Sequence, residues 1–333
     1  MSSAHSPTRP TIELDCSTPP DWNPPDWNLP DWQFLSKVVS HLYEAHGPAA
    51  AIETITVAIE ASPGDGNLQM ILGQVLAASG CRKDALSALS GAMESGTDHE
   101  ILDLVARTNF PGPRYGEHLL SLHRALKPAS YLEIGVFKGE TLALAQSDTC
   151  AIGVDPAPRP ESVRNYGAPT RIHRMTSDAY FAAVIANEIY MPSTVDLAFI
   201  DGLHLFEQVL RDFINVETRC GSGSVIVLHD TLPIAAATTT RQRRTSHWCG
   251  DVWKMLPILR RYRPELSLLT IPTHPSGLTL VTGLDRNSHV LADHFEQAVA
   301  EFIDVSIPPS PLMAGCFGDV ANDPAAVRGW LDA

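Results

Sequence analysis

The sequence predicts an α/β domain with a mostly parallel sheet, preceded by a small all-helical domain. Three observations support this fold class. From Pro111 onward, strand-like runs alternate with helical segments, the order that gives a parallel sheet covered on both faces. The last two strand-like runs are joined by a short Pro/Gly connection, which is typical of an antiparallel hairpin. Before Pro111, apolar residues recur instead at helical spacing.

The chain of 333 residues is predicted to divide into four parts. An extended tail at 1–33 contains three Pro-Asp-Trp units, and its prolines block helix and sheet hydrogen bonding. A helical domain follows at 34–110. The α/β domain covers 111–285, and 286–333 holds another helix with a Pro/Gly-rich end.

Within the α/β domain the apolar runs and the breaks between them set the predicted elements. The strands are predicted at 131–135, 151–155, 171–175, 195–201 and 224–229, with the hairpin at 266–271 and 277–281. The helices are predicted at 115–126, 139–146, 178–189, 205–218, 251–262 and 290–303.

The turn after the first strand has the glycines that a close approach to a ligand requires. Its order is Glu133-x-Gly135-x-x-x-Gly139, and Gly135 lets the backbone turn with no Cβ in the way. The next segment is expected to begin a helix whose free N–H groups face the ligand. Asp155 ends the second strand about 20 residues after Gly135, where a carboxylate can bind ribose hydroxyls. The Gly-x-Gly-x-x-Gly fingerprint is absent, which disfavours a nicotinamide dehydrogenase.

Two more strands end in carboxylates and imidazoles. Asp201-Gly-Leu-His204 follows the fourth strand, and His229-Asp230-Thr231 ends the fifth. Placing these groups together costs free energy unless they pair or bind a ligand, so we predict catalytic roles for Asp201, His204 and His229. A histidine would be the general base, with a pKa naturally near neutrality. Alternatively, Asp201 and Asp230 would bind Mg²⁺ through oxygen atoms. We prefer the histidine route because only two carboxylates are visible.

The glycine turn with Asp155 resembles motifs I and II of the class I S-adenosylmethionine-dependent methyltransferases. Phe199-Ile200-Asp201-Gly202-x-His204, followed by His229-Asp230-Thr231, looks like the methyltransferase 24-type family within that class. The resemblance covers roughly 111–285. Leu203 stands where family members often have a second Asp, which removes one metal ligand or base.

This resemblance implies a Rossmann-like sheet, S-adenosylmethionine as cofactor and methyl transfer to a small molecule. Two roles are possible for Ser177 and Asp178: contact with adenine, or capping of the next helix. The residues expected to bind the methyl donor are Glu133, Gly135, Val136, Gly139, Asp155, Ser177, Asp178, Asp201 and Tyr115.

The acceptor is expected to lie against the long segment 233–249, since long loops in compact domains often bind ligands. From this segment we predict Arg244, His247 and Trp248 as substrate residues, together with His229. We expect O-methylation of a sugar or natural-product hydroxyl in secondary metabolism. Two alternatives stay open: an N-methyltransferase, and a non-catalytic module that binds ligand or protein.

The helical domain resembles a tetratricopeptide repeat through Leu72-Gly73, Gly80 and Ala85-Leu86. It covers about one full unit and a partial one, whereas such repeats need about three units to be stable alone. We therefore expect this helical domain to pack against the next domain, or to form an interface for a homodimer or a protein partner.

Composition excludes several other classes. The formal charge of −14 disfavours nucleic acid and anionic membranes as partners. Six cysteines without short Cys/His pairing indicate reduced thiols, and hence a cytoplasmic protein without a zinc site. No signal-peptide pattern and no bilayer-spanning apolar run is seen.

Overall fold

In the computed structural model, residues 32–96, 99–159, 166–306 and 321–332 are described. The predicted 1–33 tail lies outside the described residues except at its end, where Trp32 and Gln33 already belong to a helix. The chain divides into two units, Met1–Gly96 and Thr97–Ala333. Among the described residues, no helix combines the length and the apolar character needed to cross a bilayer.

The first unit is helical, as its apolar spacing predicts. Its helices are α1 (Trp32–His46), α2 (Pro48–Ala61), α3 (Gly66–Ala78) and α4 (Arg82–Ser95). Leu35, Ile55 and Leu68 form part of one core shared by α1, α2 and α3. The break at Pro63-Gly64 is also present, and Asp65 caps α3 by accepting a hydrogen bond from the Asn67 N–H. The likeness to a tetratricopeptide repeat stays a prediction, as does a partner for this unit.

The first unit ends at Gly96, whereas the helical domain is predicted to extend to residue 110. Helix α5 (His99–Asn109) groups with the second unit rather than with the helical unit. Its Asp103 is one reason, since the carboxylate lies 3.1 Å from Nε2 of His274, a residue near the end of the sheet. Helical periodicity alone gives no information on which unit a helix packs against.

The second unit contains a seven-stranded sheet in the order β3-β2-β1-β4-β5-β7-β6. The strands are β1 (Ser130–Ile134), β2 (Cys150–Val154), β3 (Thr170–His173), β4 (Val195–Ile200), β5 (Cys220–His229), β6 (Ser267–Ile271) and β7 (Leu278–Thr282). β1 to β5 pair in parallel, whereas β7 is antiparallel to both β5 and β6. The predicted Rossmann-like class I methyltransferase fold, parallel with a terminal antiparallel hairpin, is confirmed.

Both faces of the sheet are buried, which explains the continuous apolar runs of its central strands. On one face Leu132 and Ile134 of β1 share a core with Phe206 and Ile258. On the other face Tyr131 packs in a core that includes Leu119. The covering helices are α6 (Tyr115–Leu126), α7 (Ser177–Ile185), α8 (Phe206–Glu217), α9 (Met255–Tyr262), α10 (Val290–Asp293), α11 (Phe295–Phe302) and α12 (Pro324–Leu331).

Three predicted helices differ from the structure. The segment 139–146 forms only a 3₁₀ turn, Leu142–Leu144, because Gly139 has φ +76° and Ala145 leaves the helical region with ψ 136°. The helix predicted at 290–303 is interrupted at His294, whose ring lies 2.9 Å from the Val290 carbonyl oxygen. The helix predicted at 251–262 begins as a 3₁₀ turn, Val252–Lys254, and continues as α9.

Packing between α3 and α4 gives a test of the helical unit. A Cβ at Gly73 would lie 2.6 Å from Cγ and Cδ2 of Leu89, whereas a Cβ at Gly91 would meet only Gln69 at 3.7 Å. Both changes to alanine gain about 0.5–1 kcal/mol of helix propensity. Only Gly73→Ala adds an overpacking cost of about 1–3 kcal/mol. Urea unfolding should therefore rank Gly91→Ala above Gly73→Ala in stability, and the reverse order would contradict this packing.

Candidate active site

A cavity of about 860 Å³ opens at the carboxyl ends of the parallel strands, where ligands bind in open α/β sheets. The turn after β1, the ends of β2, β4 and β5, and the loop after β5 form its walls. Its lining residues include Tyr115, Gly135, Phe137, Asp155, Ser177, Asp178, Asp201, Leu203, His204, Gln208, His229, Asp230, Arg243, His247, Trp248 and Ser276.

The glycine turn is held by Asp155 from the end of β2. Oδ2 of Asp155 accepts hydrogen bonds from the N–H groups of Val136 at 3.0 Å and Phe137 at 2.9 Å, and Oδ1 accepts from Ala157 at 2.7 Å. An ionised carboxylate has about four acceptor positions, so these three bonds leave about one for a ligand. Asp155 therefore has a structural role in addition to the predicted contact with ribose.

Gly135 is required where the turn meets β4. It has φ +93°, and a Cβ at this position would lie 2.0 Å from the carbonyl oxygen of Asp201. The backbone N–H of Asp201 in turn donates to Ile134 O at 2.8 Å. The missing side chain thus lets the glycine turn and the Asp201 loop touch, which places the two halves of the cavity side by side.

Glu133 has a different surrounding from the one predicted. Its side chain is fully buried and does not line the cavity. Oε2 accepts from the Tyr131 hydroxyl at 2.6 Å and Oε1 from the Thr141 hydroxyl at 2.9 Å. Burial raises the pKa of Glu133 to about 8, against the lowering effect of these hydrogen bonds. Through its bonds to Tyr131 and Thr141, Glu133 links the end of the glycine turn to β1.

Two other residues predicted to bind the donor also do not line the cavity. Val136 is buried in the core, and it contributes to the turn through its backbone N–H. Gly139 donates to Val136 O at 2.7 Å and closes the turn. Gly135, Asp155, Ser177, Asp178, Asp201 and Tyr115 do line the cavity.

The residue that caps the next helix is the one before Ser177 and Asp178, so neither of these two has the capping role. Thr176 is the N-cap of α7, and its hydroxyl accepts from the Ala179 N–H at 3.2 Å. Ser177 and Asp178 instead accept from the Gln208 amide, at 3.2 and 3.0 Å. Gln208 was not predicted as a site residue, because only the tertiary structure brings α8 against the start of α7.

Asp201, His204, His229 and Asp230 form one cluster, as predicted from their strand ends. His229 Nδ1 lies 3.0 Å from Asp201 Oδ1, and His204 Nε2 lies 3.5 Å from the same oxygen. His204 Nδ1 is 3.0 Å from Asp230 Oδ2, yet its hydrogen bond goes to the carbonyl oxygen of Trp248. Within the part of the chain that the structure describes, the buried atoms Asp230 Oδ2 and His229 Nε2 have no hydrogen-bond partner.

Within this cluster the opposite charges outweigh the effect of burial. Burial alone would lower the pKa of His204, but Asp230 and Asp201 together raise that pKa to about 9. The pKa of His229 is raised in the same way, mainly by Asp201. Burial would raise the pKa of Asp201, but the two imidazoles hold it well below its usual range.

Aromatic rings cover both histidines. The Tyr115 ring lies over His229 with centroids 4.5 Å apart, and Trp248 stacks on His204 at 5.1 Å with 20° between the planes. Tyr115 was predicted to cover the methyl donor, and it also fixes one face of a cluster imidazole. Flat rings on both sides restrict how an acceptor approaches the cluster.

In the loop after β5, the arginine that lines the cavity is not the one that was predicted. Arg244 is exposed and does not line the cavity, whereas Arg243 does. Arg243 donates to the backbone oxygens of Thr245 and Ser246, at 3.4 and 3.1 Å. His247 does line the cavity, and its Nε2 lies 3.1 Å from Nδ1 of His99 in α5.

No sequence pattern pointed to His99 or Ser276 as site residues. Ser276 lies in the β6–β7 connection, and its hydroxyl donates to Asp230 Oδ1. Only the insertion of β7 between β5 and β6 brings this connection to the end of β5.

Glu133 makes the stability of the second unit depend on pH. Because its folded pKa is about 8 and its ordinary value is 4.5, folding is favoured most below pH 4.5 and loses this contribution as the pH rises toward 8. In Glu133→Gln this titration is removed. The unfolding free energy of wild type minus variant should therefore fall with pH, by at most about 1.4 kcal/mol per unit.

Urea unfolding at several pH values between about 5 and 8 measures this difference. Glu140→Gln, at an exposed position of the same turn, is the control for removing one carboxylate. A wild-type-minus-Glu133→Gln difference that stays constant over this pH range would contradict the assignment.

Comparison with known families gives one match within this domain. Residues 132–231 match the model of the methyltransferase 24 family, described as a methyltransferase domain. The matched range runs from β1 through the end of β5 and includes the Asp201, His204, His229 and Asp230 cluster. It covers less than half of the chain.

Individual relatives are distant. The uncharacterized protein R132 of Acanthamoeba polyphaga mimivirus is 29% identical over 112 residues, which are 30% of this chain and 51% of that protein. The chain thus matches about half the length of this relative.

Among solved structures, an O-methyltransferase from Bacillus cereus in complex with SAH has 16% identity and a TM-score of 0.39, covering 55% of this chain and 89% of that one. The O-methyltransferase TomG from Streptomyces achromogenes, involved in tomaymycin synthesis and solved with SAM, has 15% identity and a TM-score of 0.38 over the same shares. We draw no inference from TM-scores this low, and the fold class rests on the strand order.

Proposed function

We propose that this protein is an S-adenosylmethionine-dependent O-methyltransferase that acts on a small-molecule hydroxyl. The observation that carries this proposal is the continuity of one cavity. It extends from the glycine turn, with Gly135 and Asp155, to the cluster of Asp201, His204 and His229. A methyl donor on the turn and a hydroxyl near the cluster would therefore share one cavity. The family match over residues 132–231 supports the same reaction class.

The reaction requires alignment and removal of one proton. The acceptor oxygen forms a bond to the methyl carbon while the carbon–sulfur bond breaks. The electron pair of the broken bond goes to the sulfur atom, and the base takes the hydroxyl proton. The products are a methyl ether and S-adenosylhomocysteine. Because the sulfonium is already activated, the protein contributes mainly positioning and a base.

His229 is the better-placed of the two histidines to accept this proton. Its Nδ1 lies 3.0 Å from Asp201 Oδ1, which orients the ring, and its buried Nε2 has no partner among the described residues. Because its pKa is raised, His229 would act as base only after losing its own proton, which favours turnover at alkaline pH. Asp201 would then hold Nδ1–H, and Nε2 would be the proton acceptor. His204 instead donates to Trp248 O and lies between two carboxylates. We propose that His204 orients the cluster and the acceptor.

A divalent cation is the alternative route, and the residues fit one. Asp201, His229 and Asp230 each offer a ligand atom, and these atoms lie within 4.8 Å of one another. Bound there, a cation such as Mg²⁺ would lower the pKa of the acceptor hydroxyl. An imidazole among the ligands suits Mn²⁺, Fe²⁺ or Zn²⁺ better than Mg²⁺, which prefers oxygen.

Calorimetry tests the methyl donor. We expect wild type to bind S-adenosylmethionine and S-adenosylhomocysteine but not NAD. Gly135→Ala should abolish both interactions, since its Cβ would displace the Asp201 loop. Gly116→Ala is the control, because a Cβ there meets nothing within 4 Å. Failure of wild type to bind either sulfur ligand would refute the proposed function.

Turnover variants test the base. Transfer of labelled methyl from S-adenosylmethionine to a panel of sugars and hydroxylated aromatic compounds measures activity. We expect His229→Ala and His204→Ala to lose about 100-fold or more in kcat while keeping their affinity for S-adenosylhomocysteine.

EDTA separates the two routes. Under the histidine route, activity survives the chelator. Activity abolished by EDTA, with turnover retained in His204→Ala, would favour the metal route instead. Methyl transfer only to amines in the panel would indicate an N-methyltransferase.

A further inference from the structure

A network of four charged residues, two of them buried, lies behind the acceptor side of the cavity and has no part in the mechanism above. It consists of Glu207, Arg241, Asp251 and Lys254. Arg241 pairs with both Glu207 and Asp251, and Lys254 pairs with Asp251. The two positive and two negative charges balance. Asp251 and Lys254 are buried and need this pairing, whereas Arg241 and Glu207 reach solvent, at 38% and 23% side-chain exposure. The network connects the loop after β5 to the first turn of α8.

Asp251 is the centre of this network. Its side chain is nearly inaccessible, at 3% exposure, and its two carboxylate oxygens accept hydrogen bonds from different donors. Oδ1 accepts from the Phe206 N–H at 2.9 Å, while Oδ2 accepts from Arg241 Nη1 at 2.6 Å and from Lys254 Nζ at 3.2 Å. The N-cap residue of α8 is Leu205, which has no side-chain acceptor. Asp251 therefore caps α8 from a distant part of the chain.

The same contacts fix His204, two residues before α8. The Asp251 N–H donates to the carbonyl oxygen of His204 at 3.3 Å. Gly250 has φ +55°, and a Cβ there would lie 1.7 Å from that carbonyl oxygen. The loop backbone thus passes directly over His204. The same loop contains Trp248, whose ring and carbonyl oxygen both contact the His204 imidazole.

Arg241 and Lys254 complete the attachment. Arg241 follows Thr240, whose carbonyl oxygen accepts from the Trp248 indole N–H. Lys254 Nζ donates to Ile303 O at 2.8 Å and lies 4.9 Å from the centre of the Phe206 ring. The loop is therefore held at both ends, at 241 and 251, against one helix start.

We propose that Asp251 and Arg241 are positioning residues, which hold the loop so that His204 and Trp248 together form the acceptor-side wall of the cavity. This inference rests on the proposed function, because only that function gives the wall a reacting partner. The network acts through His204 and Trp248 and touches neither the glycine turn nor Asp155. It should therefore govern acceptor-side geometry and leave binding of the methyl donor unchanged.

The test uses the full chain with Arg241→Gln, Arg241→Lys and Asp251→Asn. Arg261→Gln is the control, since Arg261 forms an ion pair with Glu301 at 2.6 Å away from this loop. Three readouts are needed: hydrogen exchange at the Cys249 and Gly250 amides, the NMR signal of the His204 imidazole, and calorimetry with S-adenosylhomocysteine. In wild type both amides are protected by hydrogen bonds to Thr238 O.

We expect Arg241→Gln and Asp251→Asn to accelerate exchange at both amides by about tenfold or more, because the loop then opens locally. The His204 signal should shift as the ring current of Trp248 is lost, while affinity for S-adenosylhomocysteine stays within about threefold of wild type. Arg241→Lys should recover part of both effects, since it keeps the charge without the forked geometry.

Unchanged exchange and an unchanged His204 signal in Arg241→Gln would overturn the proposal, and so would equal effects in Arg261→Gln. If Asp251→Asn does not fold, the two Arg241 variants alone decide. Loss of S-adenosylhomocysteine binding in Arg241→Gln, together with general unfolding, would indicate a merely structural role and also overturn it. Failure of the wild type to bind S-adenosylhomocysteine would instead reject the proposed function, while the exchange and NMR readouts still report on the network.

Discussion

The close approach of Gly135 to the Asp201 carbonyl oxygen is the constraint on which the candidate site depends. A Cβ at Gly135 would lie 2.0 Å from that oxygen, so no other residue fits without moving one of the two loops. Because the ends of β1 and β4 touch here, the turn expected to hold a methyl donor lies beside the charged cluster. Asp155 on one side and Glu133 on the other hold the same turn in place. The two halves of the cavity are therefore joined by backbone contact, and the buried carboxylate of Glu133 and that of Asp155 support the turn from either side.

Charge balance is the second condition. The cluster at the ends of β4 and β5 places two carboxylates and two imidazoles together, and the network behind it places two carboxylates against Arg241 and Lys254. In the cluster, and at the buried Asp251–Lys254 pair of the network, the attraction between opposite charges offsets the cost of burial. The two groups meet at His204, whose ring belongs to the first and whose backbone is held by Asp251 of the second. This arrangement explains how a long loop can form a defined wall of a cavity.

Much of the fold was predictable because it depends on local patterns. Alternating apolar runs gave β1 to β7 within a few residues, and the terminal hairpin followed from the short connection between its strands. The strand ends also gave His204, His229, Asp201 and Asp230, since parallel strands carry their functional residues to one edge. Errors arose where a local backbone conformation or a distant contact overrides the periodic pattern. Gly139 and Ala145 stop the helix expected at 139–146, and α5 belongs with the sheet rather than with α1 to α4.

By itself the sequence determined the fold class, the glycine turn, and the residue types that meet at the strand ends. These features follow from spacing along the chain, which fixes local backbone geometry and the facing of side chains. Tertiary structure alone decided that Glu133 is a buried anchor, that Thr176 rather than Ser177 caps α7, and that Arg243 rather than Arg244 reaches the cavity. It also decided the roles of Gln208, Ser276 and Asp251. Each of these depends on which distant segments pack together, and such contacts leave no periodic signal in the sequence.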